Sequence, residues 1–91
     1  MSPAAGGTPG PDPVPYPEVV LDCRGKPCPL PIIELGRHLG DVAVGGLLGV
    51  AATDPAARYD VPAWARMRAQ TYLGALDAPD GVPVYVVRRE G

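Results

Sequence analysis

The order of apolar segments predicts an α/β (α+β) two-layer sandwich, βαβαββ, in which two helices cover one face of a four-stranded mixed sheet. Three observations carry it. Val19-Val20-Leu21 and Val82–Arg89 are rich in β-branched residues and begin and end one continuous unit. Between them, Leu30, Ile32, Ile33, Leu35 and Leu39 recur at helical spacing. A second helix start, Thr53-Asp54-Pro55, follows directly on the apolar run Leu47–Ala52.

Each element has its own local reason. The first strand ends at Asp22, and Ile32, Leu35, Gly36 and Leu39 share one face of the first helix, with Glu34, Arg37, His38 and Asp41 towards water. Leu47–Ala52 is continuously small and apolar, as expected of a strand buried on both sides or facing helices. Asp54 is placed as N-cap of the second helix and Pro55 at its first position. Asp60-Val61-Pro62 reads as a bend or restart, continued by Ala63–Arg68, with Trp64 and Met67 as the expected buried pair. Thr71–Leu76 forms the third strand, and Ala78-Pro79-Asp80-Gly81 has turn chemistry. In the last strand Val84 and Val86 face one way, Tyr85 and Val87 the other.

The chain has 91 residues, length for one domain. Six of its 13 prolines fall in residues 1–17, together with Gly6, Gly7 and Gly10. Such a stretch has few groups to bury and no access to helix interiors or central strands, so residues 1–17 are expected to form a disordered leader and residues 18–91 the folded domain. A net charge of −2 lacks the basic footprint of a nucleic-acid binder. There is no apolar run long enough for a membrane span and no signal-peptide pattern, so a cytoplasmic location is expected. The two cysteines, Cys23 and Cys28, are too few for a stapled secreted scaffold.

The chemistry concentrates in Leu21-Asp22-Cys23-Arg24-Gly25-Lys26-Pro27-Cys28-Pro29-Leu30-Pro31. A strand ends, a short basic loop turns at Gly25, and Cys28 stands where a helix must begin, as its N-cap with Pro29 at the first helical position. Pro29 and Pro31 fall in the first turn, where backbone N–H groups have no intrahelical partner anyway, and they stiffen the presentation of the sulfur. A helix N-terminus and nearby cations favour a thiolate, and Arg24 and Lys26 supply the cations. The prolines remove N–H donors, so the expected activation is modest. His38 lies ten residues on, nearly three turns from Cys28, which argues against a Cys–His hydrolytic pair. Two cysteines and one histidine do not make a structural zinc site, and His38 is expected to pair loosely with Glu34. The pattern suits sulfur or disulfide exchange completed on a partner.

At these residues the chain resembles the TusA/SirA-like family of small sulfur carriers. The resemblance rests on Leu21-Asp22 with Gly25 and the CPxP motif Cys28-Pro29-Leu30-Pro31, on Thr53-Asp54-Pro55, on Asp60-Val61-Pro62-Ala63, and on Gly81, Tyr85 and Val87-Arg88-Arg89. It spans residues 19–89. It implies the same βαβαββ fold and makes Cys28 the residue that accepts sulfane sulfur as a persulfide. The partners it implies are a cysteine desulfurase or rhodanese-type donor and a downstream acceptor protein, with tRNA thiolation the commonest destination. No organic cofactor, metal, membrane or direct nucleic-acid contact is implied. Two alternatives stay open. Cys23 is either a packed strand-end residue or a second thiol that would make the protein a redox module with Cys28. A regulatory binding module would use neither sulfur. Arg66, Arg68, Arg88 and Arg89 read as solvated charges that can meet an acidic protein partner.

Overall fold

The computed structural model describes residues 14–27 and 30–91. Its elements run β1 (Val19–Cys23), α1 (Leu30–His38) with a 3-10 turn over Leu39–Asp41, β2 (Leu47–Ala52), α2 (Ala57–Met67), β3 (Thr71–Asp77) and β4 (Pro83–Arg88). The sheet order is β1-β2-β4-β3. Only β1 and β2 run parallel; β4 is antiparallel to both of its neighbours, so the sheet is mixed, as expected.

The parallel pair needs a crossover, and α1 provides it. Leu35 is fully buried and Leu39 nearly so, with Ile32 packed against the same cluster. The helix-side core joins these to Cys23, Leu48, Val50, Ala52, Ala57, Val61, Trp64, Tyr85 and Val87. Each fully buried Leu or Val contributes on the order of 2 kcal/mol, and the aliphatic set does the work that aromatics do in other small domains. Val84 and Val86 point to the opposite face, where they form a smaller cluster with Ala51. The alternation expected for the last strand therefore holds, and β2 and β4 are buried almost throughout because both of their faces are covered.

Part of that second cover comes from the segment before β1. Pro17 is buried, and Val14 packs against the Ala51–Val84–Val86 cluster. Two glycines make room for it. A Cβ on Gly49 would stand 2.7 Å from the Pro17 ring, and one on Gly74 would stand 2.8 Å from a Val14 methyl. Gly74 also sits at φ +126°, beside the register shift between Tyr72 and Gly74 in β3. Of the leader expected over residues 1–17, residues 1–13 lie outside the described residues.

Several local expectations are corrected. Met67 is not half of a buried pair: it is 82% exposed, at the last residue of α2, while Trp64 is buried. The second helix does not restart at Asp60; Pro62 sits inside one continuous helix. Asp54 is not the N-cap of α2 and Pro55 is not its first residue: Ala56 is the N-cap, without a side-chain cap, and Asp54 heads the turn that leads into the helix. The Asp54 Oδ1 accepts the Ala56 N–H at 2.9 Å, and the Ala57, Arg58 and Tyr59 N–H groups then donate to carbonyls three residues back before the α-helical pattern takes over. β1 extends through Asp22 to Cys23 because its pairing with β2 continues to Ala52.

Candidate functional site

The sheet topology decides which loops meet. β1 and β2 are parallel and in register to Cys23 and Ala52, so the loops that follow them leave the same edge. β4 begins there too, since Ala51 pairs with Val84, and the β3–β4 turn therefore lies alongside. Three segments far apart in sequence converge: residues 24–27, Thr53 with the entry to α2, and Asp80 in the β3–β4 turn.

Cys23 to Lys26 form a tight turn in which the Lys26 N–H donates to the Cys23 carbonyl at 3.1 Å. Gly25 is its third residue, at φ +78°, a conformation that costs a residue with a Cβ and costs glycine little. The Gly25 N–H donates to Thr53 Oγ1 at 2.9 Å. Arg24 reaches farther. Its Nε and a terminal nitrogen donate to the two carboxylate oxygens of Asp80 at 2.9 and 3.3 Å, and the other terminal nitrogen donates to Asp22 Oδ1 at 3.0 Å. Asp22 Oδ1 also accepts the Arg24 N–H at 3.2 Å.

These bonds set the electrostatics. The Arg24 guanidinium holds the Asp80 carboxyl below its ordinary pKa, and for Asp22 the Arg24 backbone N–H acts first and the guanidinium second. The carboxylates in turn push the Arg24 pKa up. Arg24, expected to attend the thiol, is thus held by two carboxylates, and Lys26, exposed like Arg24, is the other cation of the loop.

Cys28 and Pro29, with the expected N-cap and first-position roles, lie outside the described residues. Between the residues that flank them, the Leu30 N–H donates to the Pro27 carbonyl at 3.0 Å. Pro31 is fully buried and anchors the first turn of α1, whereas Leu30 and Ile33 are 41% and 48% exposed. The segment after Cys28 therefore has one anchored side and one apolar side open to contact.

Cys23 is 1% exposed within the helix-side core. Burial pushes its thiol pKa up, against a smaller opposing effect from Lys26. His38 lies at the far end of α1, with Nε2 3.3 Å from Glu34 and Nδ1 2.7 Å from Asp41. Sequence reasoning missed Asp22, Thr53 and Asp80 as partners of the loop. Asp80 was legible only as a turn residue, and nothing local connects it to an arginine 56 positions earlier.

The chain is similar to known proteins over most of its length. The family model described as sulfurtransferase TusA matches residues 19–89, all of the chain from the first strand to the end of the last. A relative named sulfur carrier protein TusA from Pseudomonas putida (strain GB-1) is 50% identical over 46 residues, covering 50% of this chain and 58% of its own length. The chain thus spans a little over half the length of that curated relative. A protein of the same name from Pseudomonas entomophila (strain L48) is 34% identical over 73 residues, covering 80% of this chain and 90% of that one. Among solved structures, a SirA-like protein from Desulfitobacterium hafniense superposes with a TM-score of 0.67 at 20% identity, covering 80% of this chain and 99% of that one, a likeness of fold. On the family match across both helices and all four strands, the chain belongs to the TusA family.

Proposed function

We propose that this protein is a sulfur carrier and that Cys28 bears the sulfur. The observation that carries the reading is the Cys28-Pro29-Leu30-Pro31 motif, standing directly after the tied loop 24–27 and inside the family-matched segment. The Cys28 thiolate attacks the terminal sulfane sulfur of a donor persulfide. A new S–S bond forms on Cys28, the donor's S–S bond breaks, and the donor sulfur leaves as a thiolate with the bonding pair. The reverse arrangement, with an acceptor thiolate attacking the carried sulfur, unloads it. Neither step requires an acid or base from this chain at neutral pH, provided the thiols are ionised.

A cysteine desulfurase or rhodanese-type protein fits the donor role, and a downstream carrier or sulfurtransferase fits the acceptor role, with tRNA thiolation as the destination. Persulfide relay belongs in a reducing compartment, which favours the cytoplasm; no helix among the described residues is long and apolar enough to cross a membrane. Against a redox module that pairs Cys28 with Cys23 stands the burial of Cys23, which disfavours its thiolate and its access to a disulfide.

The test is intact mass after incubation with a cysteine desulfurase and cysteine, for wild type, Cys28→Ser and Cys23→Ser. One added sulfur in wild type and Cys23→Ser, absent from Cys28→Ser, is the expected result. A product two hydrogens lighter that needs both cysteines would replace the carrier reading with the redox module. No change in any of the three, across several sulfur donors, would leave a binding module.

A further inference from the structure

Arg24 invites a direct role at the thiol, since it is a cation four residues before Cys28. Its geometry argues otherwise. All three of its donor nitrogens are engaged by Asp80 and Asp22, and the bidentate grip on Asp80 joins the loop to a turn 56 residues away. The Gly25 N–H adds a second tie, to Thr53 at the entry to α2. The loop 24–27 is therefore held at two points by the two neighbouring loops of the same sheet edge. On the far side of the cysteine, buried Pro31 is a third fixed point.

We propose that Arg24 and Asp80 are positioning residues for sulfur transfer: their ion pair, with the Gly25–Thr53 hydrogen bond, fixes the loop that presents Cys28 to a partner's active site. The inference rests on the sulfur-carrier reading and adds to it the residues that set the presentation. A protein donor must bring its persulfide in line with the Cys28 sulfur, and a loop fixed before encounter spares the ordering cost that a loose one incurs at every transfer. A small reagent that approaches from any side gains nothing from that order. The pair is partly exposed, with side-chain exposures of 35% for Arg24 and 52% for Asp80, so its contribution is that of a surface ion pair.

The two roles for Arg24 separate cleanly. A cation acting on the thiolate would raise the Cys28 thiol pKa when removed, and Asp80→Asn, which leaves the guanidinium in place, would not do so. A positioning pair makes both substitutions equivalent. The experiment compares wild type, Arg24→Gln, Asp80→Asn, the double variant and Asp80→Glu. It measures the rate of sulfur transfer to Cys28 from a persulfidated cysteine desulfurase, and the pH profile of Cys28 alkylation by iodoacetamide, resolved from Cys23 by peptide mass.

In the expected result, transfer slows about three- to fivefold in each single variant, the range a surface ion pair can impose. The double variant is no slower than either, Asp80→Glu recovers most of the rate, and the alkylation midpoint stays where it is in wild type. Transfer unchanged in both single variants, additive losses in the double variant, or an alkylation midpoint that rises in Arg24→Gln alone would each overturn the proposal. A wild-type protein that takes up no sulfur on Cys28 would instead overturn the carrier reading, and the positioning role with it. Thermal melting of each variant confirms that the fold is intact.

Discussion

At the scale of single residues, the two cysteines show how environment divides one chemistry into two roles. Cys23 sits at the end of β1 among Leu35, Val50 and Ala52, where burial disfavours its thiolate. It is expected to resist iodoacetamide in the folded protein at pH 8 and to react only on unfolding, whereas Cys28 reacts in both states; peptide mass spectrometry with and without denaturant reads the difference. The carboxylates that hold Arg24 make a second prediction. Asp22 and Asp80 have folded-state pKa values below the ordinary 3.8, so their contribution is complete above that value and is lost as pH falls through the lowered one. The loop tie is thus constant across neutral pH. Carboxyl chemical shifts are expected to titrate below 3.8 in wild type; in Arg24→Gln that of Asp80 returns towards it, while Asp22 stays lowered because the backbone N–H of residue 24 still bonds it.

At the scale of elements, glycine and capping chemistry set how segments join. Gly49 lies in the middle of β2, where a Cβ would stand 2.7 Å from Pro17 and 2.9 Å from a Val84 methyl. Gly49→Ala is expected to cost about 1–3 kcal/mol by overpacking, measured by urea unfolding. Removing the Pro17 ring with Pro17→Ala should recover part of that loss. The entry to α2 depends on Asp54, whose carboxylate takes the Ala56 N–H, and Asp54→Ala is expected to cost about 1 kcal/mol in the same assay. Much of this was legible in the sequence: the strand runs, the Asp54-Pro55 start and the face of α1 follow from side-chain period and turn chemistry. Pro62 was misleading because a proline's local penalty within a helix is offset here by the burial of Val61, Trp64 and Ala65 on the sheet. Met67 was misleading because its spacing from Trp64 suits a shared face, but α2 ends at Met67, beyond the sheet-covered turn.

For the whole molecule, the two faces of the sheet are covered differently. One carries both helices and the larger core; the other carries the small cluster of Ala51, Val84 and Val86, overlaid by the segment that includes Val14 and Pro17. In a domain this small each covered strand matters. Replacing Val14 and Pro17 together by glycine is expected to lower the melting temperature by about 5 °C, since a loss of about 1 kcal/mol shifts a domain of this size by several degrees. An unchanged melting temperature would show that the segment adds nothing to the sheet.

The amino-acid sequence alone determined the element order, the sheet's aliphatic core and the cysteine motif, because each is written in residues within a few positions of one another. Side-chain period, caps and turns are local, and so is a helix start that follows a basic loop. What only the tertiary structure decided is which loops share an edge and which charges pair there. The parallel alignment of β1 with β2, and the antiparallel return of β4, bring Arg24 to Asp80 and Gly25 to Thr53. The same packing takes Cys23 into the core and lays Pro17 over Gly49. Such contacts join residues about 30 to 56 positions apart, and their partners are selected by strand register, a property of the assembled sheet that no short stretch of chain encodes.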